Sequence, residues 1–97
     1  MKEAKMVKAH HKWSVEDDTV ALYLYRFGDS DLPYSRKSIG EKLGMGAGAM
    51  RMRIANFLSL DGGEGLNHPA KQSREIYLRH RETSREELRL LVLRALA

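Results

Sequence analysis

Residues 35–58 read SRKSIGEKLGMGAGAMRMRIANFL, and the fold turns on this stretch. Ser35 is a helix-capping residue type, and Ile39 and Leu43 follow four apart on one face. Gly44 ends that helix, because glycine enters the left-handed region without a steric cost. The next helix is predicted over 46–60. There Met50, Ile54, Phe57 and Leu58 fall at i, i+4, i+7 and i+8, a single apolar stripe. Two short helices joined by a glycine turn, with Ile39, Leu43, Met50 and Ile54 facing one another, form a helix-turn-helix. Gly40 is expected to let the two helices cross closely. The outward face of the second then carries Gly48, Arg51, Met52 and Asn56, with Arg53 on its flank.

Working outward, Ser14 with Asp17 three residues on forms a capping-box pair. A helix follows to Gly28, with Val20, Ala21, Leu24 and Phe27 at helical spacing. Leu22, Tyr23 and Tyr25 widen its apolar surface, so elements beyond a three-helix unit should touch it. Trp13 is expected in the core against this helix. Residues 29–34 are a loop with Pro33 as breaker, and Gly62, Gly63 and Gly65 mark an exposed turn. Pro69 fits the first turn of a fourth helix, capped by Asn67 or His68 and running to about His80. Thr83 and Ser84 each precede a Glu by three residues, so a fifth helix starts there. Its stripe is Leu88, Leu91, Val92, Ala95 and Leu96, while Leu90 and Leu93 point elsewhere. The expected class is all-α: a trihelical helix-turn-helix core at 13–60, then two C-terminal helices within 67–97. Residues 1–12, rich in lysine, are expected to be a flexible basic arm.

The 97 residues suit one domain, with 42% hydrophobic and 31% charged side chains. There are no cysteines, which excludes disulfides, thiolate catalysis and cysteine-held metal sites. No apolar run nears the roughly 20 residues of a membrane span, so no membrane partner and a cytoplasmic, nucleoid-associated location are expected. His10, His11, His68 and His80 lack metal-site spacing. No nucleophile, base and orienting group assemble. Neither an enzyme, a metal nor a cofactor is expected.

The net charge is +4, unevenly spread. Residues 13–34 carry −4 and residues 35–58 carry +4. A basic segment of this kind suits a polyanion, since neutralising phosphates releases counterions.

Residues 13–60 resemble the Myb/SANT-like branch of homeodomain-like helix-turn-helix domains. The likeness rests on Trp13, Ser14, the acidic Glu16, Asp17 and Asp18, the apolar run to Gly28, and Arg51, Arg53, Ile54, Asn56 and Leu58. The later tryptophans of such repeats are absent, with Ile54 in place of the last. The resemblance implies a third helix in the DNA major groove, with base-reading positions at Gly48, Met52 and Asn56. Residues 50–77 also resemble an N-terminal helical module found ahead of HNH-type and restriction-associated nuclease domains.

The expected partner is therefore double-stranded DNA, in a regulatory or DNA-organising role. Arg36, Lys37, Lys42, Arg51 and Arg53 are the candidate phosphate contacts, with Arg51 also able to reach guanine. Asn56 either pairs with adenine or bonds to nearby backbone. Gly48 allows close backbone approach. A homodimer through Leu88, Leu90, Leu91 and Leu93 would double the phosphate contacts. The alternatives are a SANT-like protein-interaction module, favoured by the acidic first helix, and a targeting subunit of a nuclease or packaging complex.

Overall fold

The computed structural model describes residues 11–62 and 69–97. Among these residues there are five helices and no strand: α1 (Val15–Phe27), α2 (Arg36–Leu43), α3 (Ala47–Leu60), α4 (Lys71–Arg79) and α5 (Arg85–Leu96). None is long and apolar enough to cross a membrane. Residues 1–10 of the expected arm, most of the glycine turn, and the expected caps Asn67 and His68 lie outside the described residues.

Local chemistry sets the helix ends. The Ser14 hydroxyl accepts the Asp17 N–H at 3.0 Å, and the Asp17 carboxylate accepts the Ser14 N–H at 3.2 Å. Ser84 and Glu87 repeat this reciprocal cap at the start of α5. Ser35 caps α2 by accepting the Ser38 N–H. Each such cap contributes about 1 kcal/mol. At the end of α2, Gly44 adopts φ 81° and ψ 25°. That lets the Met45 N–H reach the Gly40 carbonyl at 2.9 Å and close the helix.

The core forms around α1. Its residues Val20, Ala21, Leu22, Tyr23 and Leu24 are all buried, so its middle is covered all round. Helices α3, α4 and α5 all pack against it, which is the wider contact that its broad apolar surface predicts. Ile39 of α2, Met45 of the turn, Met50 and Phe57 of α3, Ile76 of α4, and Leu88, Val92 and Leu96 of α5 complete the buried cluster. The loop after α1 is tied to α5. Asp31 accepts the Tyr23 hydroxyl at 2.6 Å and an Arg85 N–H at 3.0 Å. Its backbone carbonyl accepts two N–H groups of Arg89.

Several expectations need correction. Helix α4 starts at Lys71, after an Ala70 cap position with no side-chain bond, so Pro69 precedes the helix. The close neighbour of Gly40 is Met45 in the turn, whose carbonyl oxygen would lie 3.4 Å from an added Cβ. The small residue thus accommodates the turn rather than the crossing of α3. Leu58 is exposed rather than inward. Leu88 is fully buried against the core and has no surface to offer a second chain. His11, placed in the flexible arm by its sequence, is held at 2.7 Å by Asp17 and meets the Trp13 ring edge-on.

Two glycines in the motif should respond oppositely to alanine. Gly44→Ala forces a Cβ into the left-handed region and should lower the unfolding free energy by about 1–2 kcal/mol. Gly48 is helical with open space around its Cα, so Gly48→Ala should raise it by about 0.5 kcal/mol. Urea denaturation at constant pH measures both.

Candidate nucleic-acid interface

The eight residues predicted for a DNA surface divide into two groups. Arg36, Lys37 and Lys42 on α2, and Gly48, Arg51 and Met52 on α3, are all exposed. Arg53 and Asn56 are turned inward. The outward face of α3 is thus Gly48, Arg51, Met52, Ala55 and Leu58, with Met52 at 54% exposure. Among the described residues, none of Arg36, Lys37, Lys42 or Arg51 forms an ion pair with a carboxylate. The Lys42 ammonium stands 4.8 Å over the Tyr34 ring, a contact that leaves its charge at the surface. A cleft of about 380 Å³ lies between the starts of α2 and α3. It is lined by Asp29, Arg36, Lys37, Gly40, Ala47 and Met50. Asp29 is engaged there by the Arg36 backbone N–H at 2.7 Å.

Arg53 serves the core. Its Nε donates to Asp18 Oδ1 and its terminal nitrogen to Asp18 Oδ2, both at 2.7 Å. Its guanidinium lies 4.6 Å from the centre of the Trp13 ring. The Asp18 side chain is fully buried and that of Arg53 is 14% exposed. Two further donors reach the same carboxylate: Gln72 Nε2 at 2.6 Å and Ser73 Oγ at 2.9 Å. Gln72 also donates to the Trp13 and Ser14 carbonyls. A bidentate guanidinium and two neutral donors fill the lone pairs of a carboxylate that has lost its water.

Asn56 is likewise committed. Its side-chain oxygen accepts the Ala70 N–H at 3.3 Å, fixing the approach to α4 from outside. Of the two roles open to Asn56, the backbone bond is the one observed. No side-chain hydrogen-bonding group other than Arg51 remains on the outward face of α3 between Gly48 and Leu58.

The sequence reading gives Asp18 a place among the acidic residues that open α1 but no buried role with Gln72 and Ser73, although a signal is there. Asp18 lies three and four residues before Ala21 and Leu22, on the apolar side of α1. Arg53 falls three after Met50 and four before Phe57, inside the stripe it was expected to flank.

A second polar cluster joins the end of α3 to α1 and α4. The Asp61 carboxylate accepts the Tyr25 and Tyr77 hydroxyls, each at 2.8 Å. Those two donors hold its carboxyl below the ordinary 3.8, the Tyr77 bond most strongly. Burial, with the Asp61 carboxylate adding to it, pushes the Tyr25 phenol up to about 12. Among the described residues, no group of three or more His, Asp or Glu could hold a metal ion.

No family model matches this chain, and no curated protein or solved structure matches it either.

The buried pair makes a sharp prediction. Arg53→Met keeps most of the volume but leaves the Asp18 charge short of its main partner. Stability should fall by about 3–5 kcal/mol, read from urea midpoints. Arg53→Lys should recover only part of that loss, because an ammonium cannot bind both oxygens and lie flat on Trp13.

His80 predicts a pH response. Its ring shares a 2.9 Å hydrogen bond with Thr83, and its backbone carbonyl accepts Arg26. Burial holds its imidazole below the ordinary 6.5, with Arg79 and Arg26 adding to the effect. The unfolded chain therefore binds a proton more readily than the folded one. This contribution to stability is complete above 6.5 and declines as pH falls through that value. His80→Gln should reduce the difference between urea midpoints measured at about pH 7.5 and about pH 5.5.

Proposed function

We propose that this chain is a non-enzymatic double-stranded DNA-binding module that docks α3 in the major groove. The reading rests on one observation: α3 leaves Gly48, Arg51 and Met52 exposed, and four exposed cations on α2 and α3 form no ion pair among the described residues. An α-helix about 10–12 Å across fits a major groove about 12 Å wide. Arg36, Lys37, Lys42 and Arg51 would sit on phosphates, and Gly48 would let the start of α3 sink close to the bases. With Asn56 and Arg53 withdrawn, hydrogen-bonded base reading falls to Arg51. Met52 and Ala55 offer apolar contact of the kind that meets thymine methyl groups. The binding should accordingly be dominated by phosphates and tolerant of sequence, which suits a DNA-organising or regulatory role in whichever compartment holds DNA. A second copy of the chain, held through α5, is the other partner in this proposal.

One observation favours a rival. Met52 at 54% and Leu58 at 38% exposure form an apolar surface that a protein partner could cover. Such a surface suits the protein-interaction alternative.

A salt titration on random duplex DNA by fluorescence anisotropy separates the two. Four phosphate contacts predict that log affinity falls with log salt at a slope of about −3 to −4. Changing Lys37 and Arg51 together to Ala should flatten that slope by about 2 while leaving the fold intact. No binding at about 50 mM salt would overturn the DNA reading and pass Met52 and Leu58 to the rival.

A further inference from the structure

Helix α5 turns Leu88, Val92 and Leu96 into the core. Its other side is unusual for a surface. Leu90 is 60% exposed and Leu91 36% exposed, next to each other in sequence. Glu87 and Arg94 are exposed on the same side. The four residues stand at i, i+3, i+4 and i+7, so they share one helix face. Their order is Glu, Leu, Leu, Arg, and this order is its own complement when reversed. A copy running antiparallel, related by a two-fold axis between Leu90 and Leu91, sets Leu90 against the partner's Leu91. The same axis sets Glu87 against the partner's Arg94. Each contact occurs twice, as a two-fold interface requires.

We propose that a second copy of this chain covers α5 in an antiparallel two-fold pair, with Glu87, Leu90, Leu91 and Arg94 as the contact residues. This deepens the dimer reading above and stands apart from DNA binding. Charge complementarity selects the occupant. A parallel pair would place Glu87 beside the partner's Glu87 and Arg94 beside the partner's Arg94, which repel. Only the antiparallel pair neutralises both ends. Arg94 forms no ion pair among the described residues, so it is available. Leu91 and Arg94 also line a groove of about 530 Å³ whose other walls include the apolar Val15 and Ala95 and the charged Glu16 and Arg79. The partner's Leu90, set over Leu91, lies at the mouth of that groove and loses water there. Leu93, half-buried, lies on the other flank of Leu90 and takes no central part.

Sedimentation velocity on the full chain without DNA, from about 10 µM to about 1 mM, tests the proposal. The average mass should rise from monomer towards dimer across this range. Leu90→Glu should weaken association by about tenfold or more. Arg94→Glu should do the same, because it opposes the partner's Glu87 with a like charge. The decisive variant is a double exchange of Glu87→Gln, which keeps the α5 cap, with Arg94→Glu. It removes the like charges that Arg94→Glu alone sets against each other and should raise association about threefold or more over that single variant. Far-UV circular dichroism checks the fold of each variant, and Arg94→Glu leaves the Ser84–Glu87 cap untouched. A chain that stays monomeric to about 1 mM would overturn the proposal. So would a dimer indifferent to Leu90→Glu, or a double exchange no better than Arg94→Glu alone. A monomeric result leaves the DNA reading standing, and absent DNA binding leaves this one standing.

Discussion

The Asp18 carboxylate is fully buried and accepts hydrogen bonds from three side chains on two other helices. A lone carboxylate at such depth would cost several kcal/mol, so α1 cannot pack where it does unless α3 and α4 arrive together. Arg53 of α3 brings the counter-charge, while Gln72 and Ser73 of α4 fill the remaining lone pairs. The same Gln72 ties down the Trp13 and Ser14 carbonyls just before α1. The network specifies which helices meet and in what register. It need not add net stability over an apolar core of equal volume. It also explains why the chain extends past a three-helix unit: without α4, half the donors to Asp18 are missing.

This constraint shapes the surface as much as the interior. Holding Arg53 and Asn56 against α1 and the approach to α4 rotates them out of reach of any ligand on the face of α3. What remains outward is short and mostly apolar: Gly48, Met52, Ala55 and Leu58, with Arg51 as the one hydrogen-bonding side chain. The cations Arg36, Lys37 and Lys42 stand on the neighbouring helix. A face built this way favours close approach and charge neutralisation over a detailed hydrogen-bond code.

Much of the fold was legible because its signals are local. Ser14 with Asp17 and Ser84 with Glu87 announce helix starts, Gly28 and Gly44 announce stops, and α1, the end of α2 and the start of α5 fall where those residues place them. The orientation of individual polar side chains was less legible. Arg53 was assigned outward because a basic residue on a surface helix usually is, and only the position of Asp18 thirty-five residues earlier decides otherwise. Asn56 is the same case, since its partner is a backbone N–H at Ala70. The start of α4 was misjudged for a related reason. Pro69 permits a first helical turn, but the bond from Ala70 to Asn56 sets the path of the chain before the helix begins. Leu88 falls both in the expected core stripe and in the expected dimer contact because α5 has apolar residues on several sides, and the strip that α1 covers cannot be read from α5 alone.

The charge pattern itself changes meaning once the contacts are known. Residues 13–34 carry five acidic side chains, which on the sequence alone suggest an acidic docking face. Four of the five make contacts within the chain, two of them, Asp29 and Asp31, while still partly exposed. Asp17 closes the cap of α1 and holds His11. Asp18 lies in the core, Asp29 receives the first N–H of α2, and Asp31 anchors its loop through Tyr23 and Arg85. Only Glu16 is left as an ordinary surface charge. The basic segment that follows is not consumed in the same way: it gives up Arg53 and keeps Arg36, Lys37, Lys42 and Arg51 at the surface. Pairing Arg53 with Asp18 lowers the charge left on residues 35–58 from +4 to +3, with Glu41 counted, and Asp29 keeps its own charge beside Arg36 and Lys37. Long-range attraction depends on the charges that remain outside, and on α2 and α3 those are mostly cationic.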